Sequence, residues 1–139
     1  MPPKNYTTSI RASRTVGEIQ ALLAQVGAQA IMIEYDKGRP VGLAFRLKTP
    51  LGVREFALPC KWQSVHKLLQ GERRQFTTEE HALNVAWRTL QDWVEAQIAI
   101  IETEMVSVDQ VFLSYMLTTQ GKTVYDNFVA ARLEDKEGK

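Results

Sequence analysis

The side chains with the greatest chemical reach are Cys60, His66 and His81. A Cys–His nucleophile works only when the imidazole reaches the sulfur and takes its proton. Cys60 sits at a predicted strand end and His66 in a short helix behind it, and a cysteine so placed commonly serves as a small apolar filler. Neither histidine has a second His or Cys at ligand spacing, so no zinc site is expected. Gly121-Lys122-Thr123 matches the tail of a phosphate-binding loop but lacks its upstream glycine and strand, and reads as a turn and helix cap. Asp92, Glu95, Glu102 and Glu104 run along one predicted helix without the Glu-x-x-His spacing of helical carboxylate metal sites. They read as a solvated acidic face. The expectation is a chain with no catalytic residues, no metal and no cofactor.

The cations are arranged more suggestively. Residues 1–75 carry twelve Lys/Arg against five Asp/Glu, a balance of +7, and residues 76–139 carry five against eleven, a balance of −6. Such a split favours a basic binding face, head-to-tail self-association, or both. Lys37, Arg39, Arg46, Lys48, Arg54, Arg73 and Arg74 are the candidate nucleic-acid contacts, a stripe that would follow phosphates without reading bases. The competing reading is a solubilised sheet face. On the exposed face expected for the second strand, Arg46 and Lys48 have no aromatic partner, so stacking of bases on the sheet is not expected. Among the large apolar side chains, Trp93, Phe112 and Tyr115 lie near element edges and are the candidate anchors of a protein interface.

These residues must be positioned by an α+β domain. Thr15 and Glu18 have capping-box spacing, and Val16, Ile19, Leu22, Leu23 and Val26 form an apolar stripe, which predicts a helix over 15–26 closed by Gly27. Ala30 to Tyr35 predicts a strand ending at Asp36-Lys37-Gly38. Val41, Leu43, Phe45 and Leu47 alternate with Gly42, Ala44, Arg46 and Lys48, which puts one face of a second strand on a core. Arg54 to Leu58 makes a third strand, so the three form an antiparallel meander. A short helix over 62–70 follows, with Trp62, Val65, Leu68 and Leu69 inward. Thr77 and Glu80 open a long helix through Glu104, Ser107 and Gln110 open another over 108–117, and a last helix spans about 123–133. Leu22, Val26, Leu43, Phe45, Leu47, Phe56, Trp87, Leu90 and Val94 are the expected core.

At 139 residues, 45% hydrophobic and 24% charged, the chain has the size and composition of one domain, with flexible ends over 1–12 and 134–139. One cysteine permits no internal disulfide and favours a reducing compartment, hence a cytoplasmic protein. The N-terminal MPPKNYTTSI has no apolar signal core. The apolar stretch from Val85 to Ile101 is interrupted by Arg88, Asp92 and Glu95, so no membrane span is expected.

The segments TVGEIQALLAQVGA, AIMIEYDKGRPVGLAFRLKTPLGVREFALP and EEHALNVAWRTLQDWVEAQIAII follow one another in an order that resembles the core of single-strand annealing proteins of recombination. NYTTSI, GAQAIMIEYDKG and VAWRTLQDWVEAQ also look like short uncharacterised proteins of phages and mobile elements. The first resemblance implies single-stranded DNA as partner, and the second implies a bacterial cytoplasm without assigning an activity. The helix over 62–70 departs from the annealing core. The expected function is non-enzymatic binding of single-stranded nucleic acid, in a homo-oligomer. The alternative is a small module that binds a host or defence protein.

Overall fold

A computed structural model describes residues 4–71 and 78–137, with side chains through Arg132. Arg73, Arg74 and Thr77 lie outside the described residues. The expected order of elements is present: a helix, a three-stranded antiparallel sheet, a long helix and further helices.

Helix α1 spans Ala12–Gln25 and begins earlier than the local pattern predicts. No capping box forms at Thr15. That residue is fully buried inside the helix, its hydroxyl donating to the Arg11 carbonyl at 3.4 Å. The first turn is capped from outside, because the Ala12 amide donates to Asn84 Oδ1 at 2.8 Å. A helix N-terminus needs acceptors for its free amides, and here a distant side chain supplies one. The C-terminus does follow the local rule. Gly27 takes φ +95°, and the amides of Gly27 and Ala28 return to the carbonyls of Ala24 and Leu23 as in a Schellman motif.

Strands β1 (Ala30–Asp36), β2 (Arg39–Thr49) and β3 (Gly52–Pro59) lie in sequence order. Lys37 and Gly38, both at positive φ, make the two-residue turn between β1 and β2, as a type I′ hairpin requires. Leu43, Phe45 and Leu47 of β2 and Phe56 and Leu58 of β3 point to the inner face and are buried. On that face they meet α1 and the long helix α3, Glu79–Glu102. Trp87 of α3 is fully buried, and its indole N–H donates to the Pro40 carbonyl at 2.9 Å, which ties helix to sheet. The expected core is largely the observed one. Leu22, Val26 and Leu90 are only partly buried, against its margin.

Helix α2, Trp62–Gly71, packs on α3 through Leu69, Trp62 and Val65. Leu68 is 48% exposed, so it is not part of the inward face. Thr78, one residue after the expected cap, starts α3 by accepting the His81 amide at 3.1 Å. Among the described residues, no helix is long and apolar enough to cross a membrane.

The stretch over 108–117 is not one helix. Helix α4 is a single turn, Val108–Val111, opened by the expected Ser107–Gln110 capping box. A 3₁₀ turn over Leu113–Tyr115 follows, and Met116 then pairs with Phe56 at the edge of β3. The break serves Phe112, which is fully buried with its ring centroid 5.4 Å from Phe45, 6.0 Å from Phe56 and 5.6 Å from Trp93. A continuous helix could not both insert that ring and bring the next backbone to the strand. The last helix, α5, Val124–Glu137, extends past the expected end at 133 and packs mainly against the 3₁₀ turn.

Residues 4–6 of the N-terminal segment are tied to α3. Asn5 donates to Asp92 Oδ2 at 2.9 Å, Lys4 pairs with the same oxygen at 3.2 Å, and the His81 ring donates to the Tyr6 carbonyl at 2.6 Å.

Candidate functional site

The residues with nucleophilic or metal chemistry do not converge. Cys60 is buried and its thiol is pushed up to about 12 by desolvation, so it is not a thiolate near neutral pH. His66 packs its ring 6.2 Å from that of Trp62. Among the described residues, no three His, Cys, Asp or Glu side chains gather as a metal-binding group.

The carboxylates near α3 serve as structural partners. Glu18 of α1 accepts from Gln91 at 2.7 Å, from Arg14 at 3.1 Å and from Arg88 at 3.4 Å, joining α1 to α3. The Gln91 amide, followed by Arg14, holds the Glu18 carboxyl below its ordinary range. The Arg39 hydrogen bond does the same for Glu79. At Asp92 burial works to raise the value, but hydrogen bonds from Asn5 and Lys4 outweigh it and leave it lowered.

The candidate phosphate contacts separate into distinct places. Arg39 is committed: it donates to Glu79 Oε2 at 2.6 Å and its guanidinium lies 5.6 Å from the centre of the Trp62 ring. Lys37 sits in the β1–β2 turn, at the opposite end of β2 from Lys48, about 30 Å away along a strand of this length. Arg54 pairs in register with Leu47, which puts it on the core side of the sheet rather than beside Arg46, and it donates to the Val53 carbonyl at 3.3 Å. Arg46 and Lys48 do share the exposed outer face, with Glu55 directly across from Arg46. Among the described residues, the sheet does not gather Lys37, Arg39, Arg46, Lys48 and Arg54 into one stripe.

The candidate interface aromatics are also redistributed. Phe112 is a core residue, not an anchor for a partner. Trp93 and Tyr115 are half-buried, with ring centroids 5.7 Å apart, and belong to the same aromatic group.

The register reveals a surface that no single strand announces. Helices cover the inner face, and the outer face is built in rows across the strands. Met32, Ala44 and Ala57 form the middle row, uncharged from edge to edge. Ala30, Arg46 and Glu55 make the row on one side, and Glu34, Gly42 and Pro59 the row on the other. Met32 is 65% exposed, while Ala44 and Ala57 form a low shelf beside it. An open groove of about 860 Å³ runs over this shelf, walled on its far side by Tyr115, Tyr125 and Asp126. Tyr125 and Phe128, one helical turn apart on α5, are 59% and 64% exposed. β2 taken alone shows the outer face through Arg46 and Lys48, a solvated surface. Met32 and Ala57 enter only when the neighbouring strands are placed in register.

Set against known protein families, characterised proteins and solved structures, the chain matches none.

Proposed function

We propose that this chain is a non-catalytic protein-interaction module that presents the outer face of its sheet, flanked by α5, to a protein partner. The observation that carries this reading is the uncharged row Met32, Ala44 and Ala57, left bare beneath an open groove. A sheet face turned to water ordinarily carries polar side chains, and a contiguous apolar strip with a polar rim is the usual form of a docking surface. Glu34, Arg46 and Glu55 supply that rim. We take the partner to be a host protein or a copy of the chain itself, in a bacterial cytoplasm, as the sequence resemblance to phage and mobile-element proteins implies.

The test is a photo-crosslinking residue at position 32, compared with one at the exposed Glu95 on α3, in bacterial cells expressing the chain. Position 32 is expected to give discrete adducts that protease removes and nuclease leaves intact. Adducts equal at both positions, or none, would overturn the proposal.

Single-stranded nucleic acid is the second reading, and the placement of Arg46 and Lys48 on one exposed face supports it. Titration with a single-stranded oligonucleotide at two salt concentrations decides between them. Phosphate tracking requires affinity to fall steeply as salt rises.

A further inference from the structure

The two edges of the sheet end differently. On the β3 side the chain covers its own edge: Met116 pairs with Phe56, and the Leu117 amide donates to the Glu55 carbonyl at 2.7 Å. On the β1 side, among the described residues, no backbone group outside β2 bonds to Ala30–Asp36. An open edge offers amides and carbonyls to any added strand, and proteins ordinarily blunt it with lysine, proline or a bulge. β1 contains neither lysine nor proline. Its bulge lies between Glu34 and Tyr35, which leaves Ala30 to Glu34 as a regular stretch centred on Met32. Ile31 and Ile33 are half-buried at the margin of the core, and Met32 stands exposed on the other face.

We infer that this edge pairs with the same edge of a second copy, antiparallel about a two-fold axis at Met32, to give one continuous six-stranded sheet. The inference goes beyond the docking reading, because it uses the edge of β1 and not the groove over the outer face. What selects a second copy is the fit of the strand to itself. A two-fold axis at Met32 sets Ile31 against the partner's Ile33 and Met32 against the partner's Met32, apolar on apolar, the contacts that stabilise adjoining strands. Ala30 then lies beside the partner's Glu34. Ala30 already has Arg46 on its other side. Arg46 and the partner's Glu34 are thus about 10 Å apart at their Cα atoms, twice the strand spacing, with only a methyl group between them. Extended arginine and glutamate side chains span that distance. Among the described residues neither Arg46 nor Glu34 has an ion-pair partner in its own chain, although Glu55 lies across from Arg46. An axis at Ile33 would instead set Met32 against the partner's Glu34, and one at Ile31 would carry that glutamate past the row of Arg46. The seam is short, about 17 Å on each side, and belongs with the weak interfaces that bury less than about 1,200 Å².

Sedimentation equilibrium of the full chain, from about 10 μM to about 1 mM to suit a weak interface, tests this. The mass should rise with concentration toward twice 15.8 kDa. Met32→Cys should oxidise to a covalent dimer, because residues opposed at the axis have Cα atoms within about 5.5 Å of each other. Glu34→Cys should not, because its two copies lie about 13 Å apart along the strands. Cys60, being buried, does not compete. Arg46→Glu and Glu34→Arg should each weaken association by roughly fivefold, two exposed pairs being lost by symmetry, and the two together should restore it. A mass that stays at one chain throughout overturns the inference. So does a dimer that links equally through positions 32 and 34, or one that the single reversals leave unchanged or the double reversal fails to restore. Photo-crosslinks from position 32 to a different protein, with a chain that stays single at every concentration, would preserve the docking reading and remove this one.

Discussion

Phe112 carries more of the structure than its place in the sequence suggests. It closes an aromatic group with Phe45, Phe56 and Trp93, and truncation to alanine leaves a void among rings that cannot all move in. Phe112→Ala should cost about 3–5 kcal/mol, a large part of an ordinary domain's stability. Chemical denaturation would show it as a lower midpoint with an unchanged slope. The sequence marks Phe112 as a large apolar residue near an element edge, equally suited to a core or to a partner. Only the position of β2 and β3 decides between these, and that is not written in the local pattern. Cys60 gives a second expectation at this scale. With its thiol held near 12, the folded protein should resist a thiol-labelling reagent at pH 8 and react fully in denaturant. Rapid labelling of the folded protein would contradict its burial.

At the scale of elements, strands and turns were legible because their signals are local. Alternation in β2, the Lys37-Gly38 turn and the Gly27 cap each depend on a few adjacent residues, and each stands as expected. The start of α1 was not legible, because its cap comes from Asn84, far along the chain. Asn84→Ala should therefore destabilise the protein by about 1 kcal/mol, the usual value of a lost cap, while Ala substitution at an exposed α1 position such as Arg14 should have a smaller effect. Thermal unfolding of both variants makes the comparison. The joints between elements also set the response to acid. Glu18, Glu79 and Asp92 bind protons less readily in the folded state than in the unfolded chain. Their contribution is complete above the unfolded carboxyl values, at about pH 4, and is lost as pH falls through the lower folded values. The melting temperature should hold from pH 7 to about 5 and drop below about 4, and Glu18→Gln should shallow that drop. A melting temperature unchanged down to pH 3 would show that these pairs do not stabilise the fold.

For the whole molecule, the order of elements was readable and the use of its surfaces was not. The steep charge split is real in the sequence, yet folding spends Arg39 on Glu79 and turns Arg54 away from Arg46. Arg46→Ala with Lys48→Ala offers a check on what remains. If the outer face docks protein, the pair should leave any affinity for single-stranded oligonucleotide at low salt nearly unchanged. A fall of tenfold or more, at roughly 1.4 kcal/mol per decade, would favour phosphate tracking instead. The late position of Phe112 has a further bearing, on synthesis. The meander is complete by Pro59, but its inner face gains its last ring only when residue 112 has left the ribosome. Through the translation of the fifty or so intervening residues, at about 5–20 residues per second, Phe45 and Phe56 stay open to chaperones and to neighbouring nascent chains. The core thus cannot be sealed before residue 112 is made, and a stalled ribosome short of Phe112 would display a sheet that is formed but not sealed.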